Sequence, residues 1–223
     1  MIIIIKKFNK IIQDKKILNV YEEILKDEEE SEWWAHHGMQ HVYEVTNLAE
    51  QILTMLNYDK DFIEEAKIAT ILHDIGCIEG KEKHAIRSFE FAKKYIKDNK
   101  IKLVNEYDVL EAIKIHSNGF QTNNMIASVL ILCDKLDIKY NRLTKKGKSV
   151  KGIRQWKNIK DIIVSIKCDI LEIKFISSKG LNKKELEEFY FTDKLVKAVK
   201  CFEKNAKVHS KVYLNGEEWG IFK

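Results

Sequence analysis

The chain has 223 residues, 45% hydrophobic and 33% charged, with 39 Lys and Arg against 34 Asp and Glu for a net charge of +5. That hydrophobic share excludes a wholly disordered chain, and nine glycines with no proline exclude collagen-like and proline-rich linker architectures. So small an excess of positive charge permits an anionic ligand without requiring nucleic acid or a membrane surface.

In chain order, the opening Met1-Ile2-Ile3-Ile4-Ile5 is too short for the apolar core of a signal peptide and runs straight into Lys6-Lys7. No segment reaches the roughly 18 consecutive apolar residues of a membrane span, so the expectation is a cytoplasmic chain with no membrane partner. Residues 8 to 30 carry Ile17, Tyr21, Ile24 and Leu25 at helical spacing and end in Glu28-Glu29-Glu30, read as a solvated face. Trp33-Trp34 and Gly38 separate this helix from the next, over residues 39 to 57, where His41, Val45, Leu48, Ile52 and Leu56 repeat the pattern. Asp61 is the expected N-cap of a helix to Leu72, after which Gly76 and Gly80 punctuate. Residues 82 to 98 alternate apolar and charged faces. Asn105 starts a helix through His116 that Gly119 ends, and Met125 starts one to about Leu143 whose first half is apolar on all sides, as at the centre of a bundle.

Beyond Leu143 the period changes. Residues 162 to 176 alternate with period two around Cys168-Asp169 and predict a β-hairpin. Asn182 with Glu185 reads as a capping box opening a helix to about Asn205, and residues 212 to 219 read as a strand pair around Asn215-Gly216. The predicted architecture is therefore mainly α: a helical bundle over residues 1–146 with a small α/β extension over residues 147–223, packed rigidly because no low-complexity linker joins them. Cys77, Cys133, Cys168 and Cys201 form no C-x-x-C pair and suit free thiols in a reducing compartment.

Six of the seven histidines, His36, His37, His41, His73, His84 and His116, lie within the first 116 residues, most on or beside apolar helix faces. One such histidine is ordinarily a hydrogen-bonded core residue; several together, with Asp74 after His73 and Asp134 directly after an apolar run, call for a bound cation. His36 and His209 are assigned no functional role, and Asp137 is either a support for a ligand or helix surface.

The segments His37-Gly38-Met39-Gln40-His41, His73-Asp74-Ile75-Gly76, Lys83-His84, Ile115-His116-Ser117 and Cys133-Asp134-Lys135, in this order over about residues 31 to 143, resemble the HD-domain metal-dependent phosphohydrolase superfamily in its two-metal H…HD…H…H…D form. The resemblance implies an HD-domain helical bundle in which His41, His73, Asp74 and Asp134 hold one metal, His84 and His116 a second, and Asp74 bridges both. Histidines and carboxylates without a thiolate suit two divalent transition metals, Fe or Mn first, with Co, Ni or Mg as alternatives. The implied reaction is hydrolysis of a phosphoester or phosphoanhydride of a small phosphorylated substrate, a nucleotide first, by a hydroxide bridging the metals. Asp74, Lys135 and Arg87 are the expected catalytic residues; His37, Lys83, Arg87, Ser117, Asn118, Lys135 and Arg142 are the expected substrate contacts, with Lys81 nearby.

Within the superfamily, Ile113-Lys114-Ile115-His116-Ser117-Asn118-Gly119 is similar to a segment of small nucleotide phosphohydrolases, while Cys77 stands where many relatives have a basic residue. A diiron oxygenase on the same scaffold and a non-catalytic nucleotide-binding or regulatory module are the alternatives. A homodimer is allowed by this reading and a nucleic-acid partner is disfavoured, since only the basic segment near Trp156 suggests one. Residues 145 to 160 hold seven basic and no acidic residues, which leaves a charge of −2 on the rest of the chain. The segment is expected to be either a solvated, mobile connector or a rim or lid that steers an anionic substrate.

Overall fold

A computed structural model describes residues 7–222. The apolar opening residues 1–5 and Lys6 lie outside the described residues. The chain is mainly helical with one small sheet. Helix α1 (Lys7–Ile12) is separated from α2 (Lys15–Glu30) at Asp14, whose carboxylate accepts a hydrogen bond from Lys16 N. The single helix expected over residues 8 to 30 is thus two, because an N-capping side chain outcompetes helix continuation at that point. Helices α3 (Met39–Met55) and α4 (Lys60–Leu72) follow. The cap of α4 is Asp59, which accepts from Asp61 N and Phe62 N, and the expected cap Asp61 lies in the first turn.

A 3₁₀ turn (Ile75–Glu79) leads to α5 (His84–Asp98), then α6 (Glu106–Ile115) and α7 (Met125–Leu136). Asn105 precedes α6 but does not cap it with its side chain; the buried Glu65 of α4 accepts from Val104 N and Asn105 N instead. Every residue of α7 from Ile126 to Leu136 is buried, because α3, α4 and α6 pack against it from the bundle and a later helix closes its remaining face. The helix stops at Leu136, short of the expected Leu143; the chain turns at Asp137 into a 3₁₀ turn (Tyr140–Arg142) that folds back toward Trp34 and Ala35. Thr144 donates to the Trp33 carbonyl and its amide donates to the Trp34 carbonyl, which pins this return.

A 3₁₀ segment (Ile153–Asn158) enters the hairpin β1 (Ile159–Lys167) and β2 (Ile170–Ser177), joined through Cys168 and Asp169, both at positive φ as a type I′ turn requires. The expected single helix after Asn182 is split into α8 (Lys183–Glu187) and α9 (Tyr190–Ala206) by an extended Phe189. Asn182 does cap, accepting from Glu185 N, but Glu185 turns away to Gly152 N and Arg154, so the reciprocal half of the capping box is not made. Strand β3 (His209–Leu214) runs parallel to β2, and β4 (Glu217–Glu218) closes an antiparallel pair through Asn215-Gly216, giving the order β1-β2-β3-β4.

The inward faces of the sheet, Leu171, Ile173, Phe175, Val164, Val212 and Leu214, join the same hydrophobic core as the helices. Helix α9 lies against α7, and β1 approaches α3. No helix among the described residues is long and apolar enough to cross a membrane.

Candidate metal centre

Helical spacing turns His41 inward from the first turn of α3. His73 is the C-cap of α4 and Asp74 opens the 3₁₀ turn after it; His84 is the first residue of α5; His116 is the C-cap of α6; Asp134 lies in the last turn of α7. The carboxyl ends of three helices therefore converge, and their partial negative charge favours a cation there. Gly76 lets α5 come close: a Cβ at that position would lie 2.4 Å from the His84 carbonyl and 2.6 Å from Ser88 N, while Gly76 N donates to Ser88 Oγ at 2.9 Å.

Each histidine has one nitrogen committed. The Nδ1 of His41 meets Asp137 Oδ2 at 2.7 Å, that of His73 the Thr70 carbonyl at 2.6 Å, that of His84 the Lys81 carbonyl at 2.8 Å, and that of His116 the Ile113 carbonyl at 2.8 Å. With Nδ1–H donated outward, each Nε2 keeps its lone pair for the interior. These Nε2 atoms face one another, His41 with His73 at 3.3 Å and His84 with His116 at 3.0 Å. Asp74 divides between them. Its Oδ2 lies 3.3 Å from His41 Nε2 and 3.1 Å from His73 Nε2, and its Oδ1 lies 3.3 Å from both His84 Nε2 and His116 Nε2. Asp134 Oδ1 completes the first set at 3.4 Å from His41 Nε2.

The donor set fits metal ions. The ligand atoms of His41, His73, Asp74 and Asp134 all lie within 4.8 Å of one another, and the buried Asp74 Oδ2 has no hydrogen-bond partner. Imidazole Nε2 atoms and carboxylate oxygens repel at these separations unless a proton or a metal cation sits between them. Asp74, Cys77 and His84 also lie within ligating distance, but burial, reinforced by the Asp74 charge, holds the Cys77 thiol well above its ordinary pKa, so His116 is the better partner for His84. Burial and the Arg142 charge oppose protonation of His41, yet Asp134, Asp137 and Asp74 outweigh them and raise its pKa to about 10. Burial alone would raise Asp74; the charge of His73 and the close approach of the His116, His41 and His73 rings hold it well below the usual carboxylate range. Burial lowers His116 to about 4.

Residues 38–145 match the HD domain family. This segment is an HD domain. HD domains bind divalent metals, and their family is one of metal-dependent hydrolases, in agreement with the His and Asp cluster. Among solved structures, that of a predicted HD superfamily hydrolase from an uncultured Thermotogales bacterium is similar at 25% identity over 56% of this chain and 68% of that chain, with a TM-score of 0.44. No curated protein matches the chain at a significant level.

Above the cluster the HD domain opens into a cavity of about 530 Å³. His37, Lys83, Ser117, Asn118, Lys135 and Arg142, named above as candidate substrate contacts, line it together with Lys81 and with Asp74, His84, His116 and Asp134 of the cluster. Lys135 Nζ donates to Asp134 Oδ2. Arg142 is buried 3.8 Å from Asp134 and 3.5 Å from Asp137, and its Nε and Nη1 have no hydrogen-bond acceptor. Arg87 is a correction. Its guanidinium is spent on the carbonyls of Gly76, Glu82 and Gly80, so it braces the turn carrying Asp74 and does not line the cavity. The basic segment is another: none of its seven cations lines the cavity, Lys146 pairs with Glu32 and Arg154 with Glu185, while the apolar Ile153 and Trp156 from the same stretch do line it.

Two further residues support the site, one of them, Glu28, unexpected from the sequence. Glu28 is buried, not solvated; it accepts from His37 N and meets His37 Nδ1 at 2.5 Å. Its position on the stripe Ile17, Tyr21, Ile24, Glu28 was the available signal. Burial works against its ionisation, but bonds from His36 and His37 bring its pKa down to about 2, while burial lowers that of His37 to about 4. Asp137, left open between support and surface, is the buried acceptor that orients His41.

Proposed function

We propose that the HD domain is a phosphohydrolase using two divalent transition metals, iron or manganese, to cleave a phosphoester or phosphoanhydride of a small phosphorylated molecule, a nucleotide. The observation that carries this reading is the division of Asp74, one carboxylate oxygen toward His41 and His73 and the other toward His84 and His116. When bound, the metals supply Lewis acidity that activates water and neutralises charge on the transferred phosphoryl group. Lys135 and Arg142 then bind non-bridging phosphoryl oxygens; the unsatisfied Nε and Nη1 of Arg142 support that role because a buried guanidinium without acceptors is costly. Lys81 and Lys83 attract the anion at the cavity mouth. Ser117, with its Oγ 3.2 Å from His84 Nε2, and Asn118 orient the substrate beside the second metal set. Glu28 fixes the His37 ring through Nδ1. The four free cysteines, three of them buried, suit action in the reducing cytoplasm.

The test is metal content and phosphate release by protein loaded with Mn or Fe, offered nucleotides, dinucleoside polyphosphates and sugar phosphates. Two metals per chain and release from at least one class are expected. Metal-dependent oxygen uptake without phosphate release would assign the site to the oxygenase chemistry instead.

A further inference from the structure

The cavity has two chemically different ends. One holds the metal ligands and the cations. The other is an apolar wall of Trp34, Ile153, Trp156, Phe189, Tyr190 and Phe191, none of which lies within the HD domain: Trp34 precedes it and the other five follow it. This wall is built. Trp156 is buried and meets Phe191 edge-on at 5.1 Å and Phe189 at 6.4 Å, so three rings lock one another in place. The break at Phe189 between α8 and α9 turns Tyr190 and Phe191 toward the cavity, and Thr192 secures the break by donating to the Leu186 carbonyl at 2.6 Å.

Tyr190 differs from its neighbours. It touches Phe189 only edge-on, at 4.7 Å, and is 52% exposed while lining the cavity. One turn later Lys194 lies over the Tyr190 ring at 5.9 Å and also lines the cavity, with no carboxylate partner among the described residues. Across the gap Lys135, which reaches toward Asp134, lies 5.8 Å from the Phe191 ring. An open aromatic face with cations on the side toward the metals suits a ligand that is flat and aromatic at one end and anionic at the other. A bare sugar phosphate would leave the wall facing water.

We propose that residues 147–223 build the base-binding half of the cavity, with Tyr190 as the specificity-determining residue on which a nucleobase stacks. The assignment rests on the phosphohydrolase reading for its reaction, but the stacking step can be read without turnover. Adenosine titrated into the Mn-loaded protein is expected to quench tryptophan fluorescence saturably, since Trp34 and Trp156 line the cavity, and the quench is lost in Tyr190→Ala and kept in Tyr190→Phe. In turnover with AMP, Tyr190→Ala is expected to raise KM about tenfold or more with kcat within about threefold, while kcat/KM for ribose 5-phosphate shifts much less. Absence of a saturable adenosine signal in the wild-type protein, or equal losses for AMP and ribose 5-phosphate in Tyr190→Ala, would overturn the proposal. Adenosine binding with no phosphate release from any substrate would overturn the hydrolase reading alone.

Discussion

Residues 38–145 and residues 147–223 face each other across one cavity, yet they bury polar groups on opposite terms. In the extension the buried Glu185, Thr192 and Asn158 side chains each have a complementary partner, and the Ser210 hydroxyl is the exception. Glu185 accepts from Gly152 N and from Arg154, Thr192 donates to Leu186 O, and Asn158 donates to Gln155. In the HD domain, five buried ligands, His41, His73, Asp74, His116 and Asp134, turn acceptors toward one another, and Asp74 Oδ2 is left without a donor. In the extension the exception is a single hydroxyl, whereas in the HD domain it is a cluster of facing acceptors whose chemistry fits a cation. Where a fold leaves buried acceptors in mutual contact, the missing partner is a ligand.

Removing the bridge breaks this contrast most directly. Asp74→Ala is expected to lower phosphate release by about a thousandfold or more and to abolish tight binding of both metals, measured by metal content and a colorimetric phosphate assay. Chelation should act on the HD domain alone. Loaded protein is expected to gain about 4 kcal/mol at metal concentrations near a thousand times Kd, read as a rise in unfolding midpoint that chelator reverses. A Glu185→Ala variant should lose the same increment of stability with metal or without it. Gly76→Ala should cost roughly 2 kcal/mol, because the new Cβ displaces α5 at the His84 carbonyl. Its signature is preferential loss of the metal held by His84 and His116.

The smallest expected effect concerns pH. The pKa of His37 is depressed from 6.5 to about 4 and that of Glu28 from 4.5 to about 2. A depressed pKa means that the unfolded chain binds protons more readily. The His37 contribution is therefore intact above about pH 6.5 and lost as pH falls toward 4; the Glu28 contribution follows between about 4.5 and 2. Urea midpoints across this range should fall in that order, and Glu28→Gln should remove the lower step while costing about 1 kcal/mol at neutral pH.

The ligand set was legible because each ligand sits where local helical periodicity points inward, at the end or first turn of a helix, and because the residue types belong to transition metals. The apolar run of α7 and the Cys168-Asp169 hairpin were legible for similar local reasons. Glu28 was hidden by its run of acids, although its place on the α2 stripe marked it. Arg87 misled: three residues beyond His84, it shares that helix face, but the nearby carbonyls of the Gly76 turn capture it. The early end of α7, the split after Glu187 and the parallel pairing of β3 with β2 depend on partners distant in the chain.

By itself the sequence determined the helical class, the order of the His and Asp ligands and the sign of the ligand they await, since these follow from side-chain chemistry and short-range spacing. Only the tertiary structure decided how Asp74 is shared, that Asp137 orients His41 across a separation of 96 residues, and which cations face the cavity. It also decided that Tyr190 and Lys194 line the same cavity as Asp74, His116 and Asp134. Periodicity sets which face of its own helix a residue occupies, whereas the packing of elements far apart in the chain selects what that face meets.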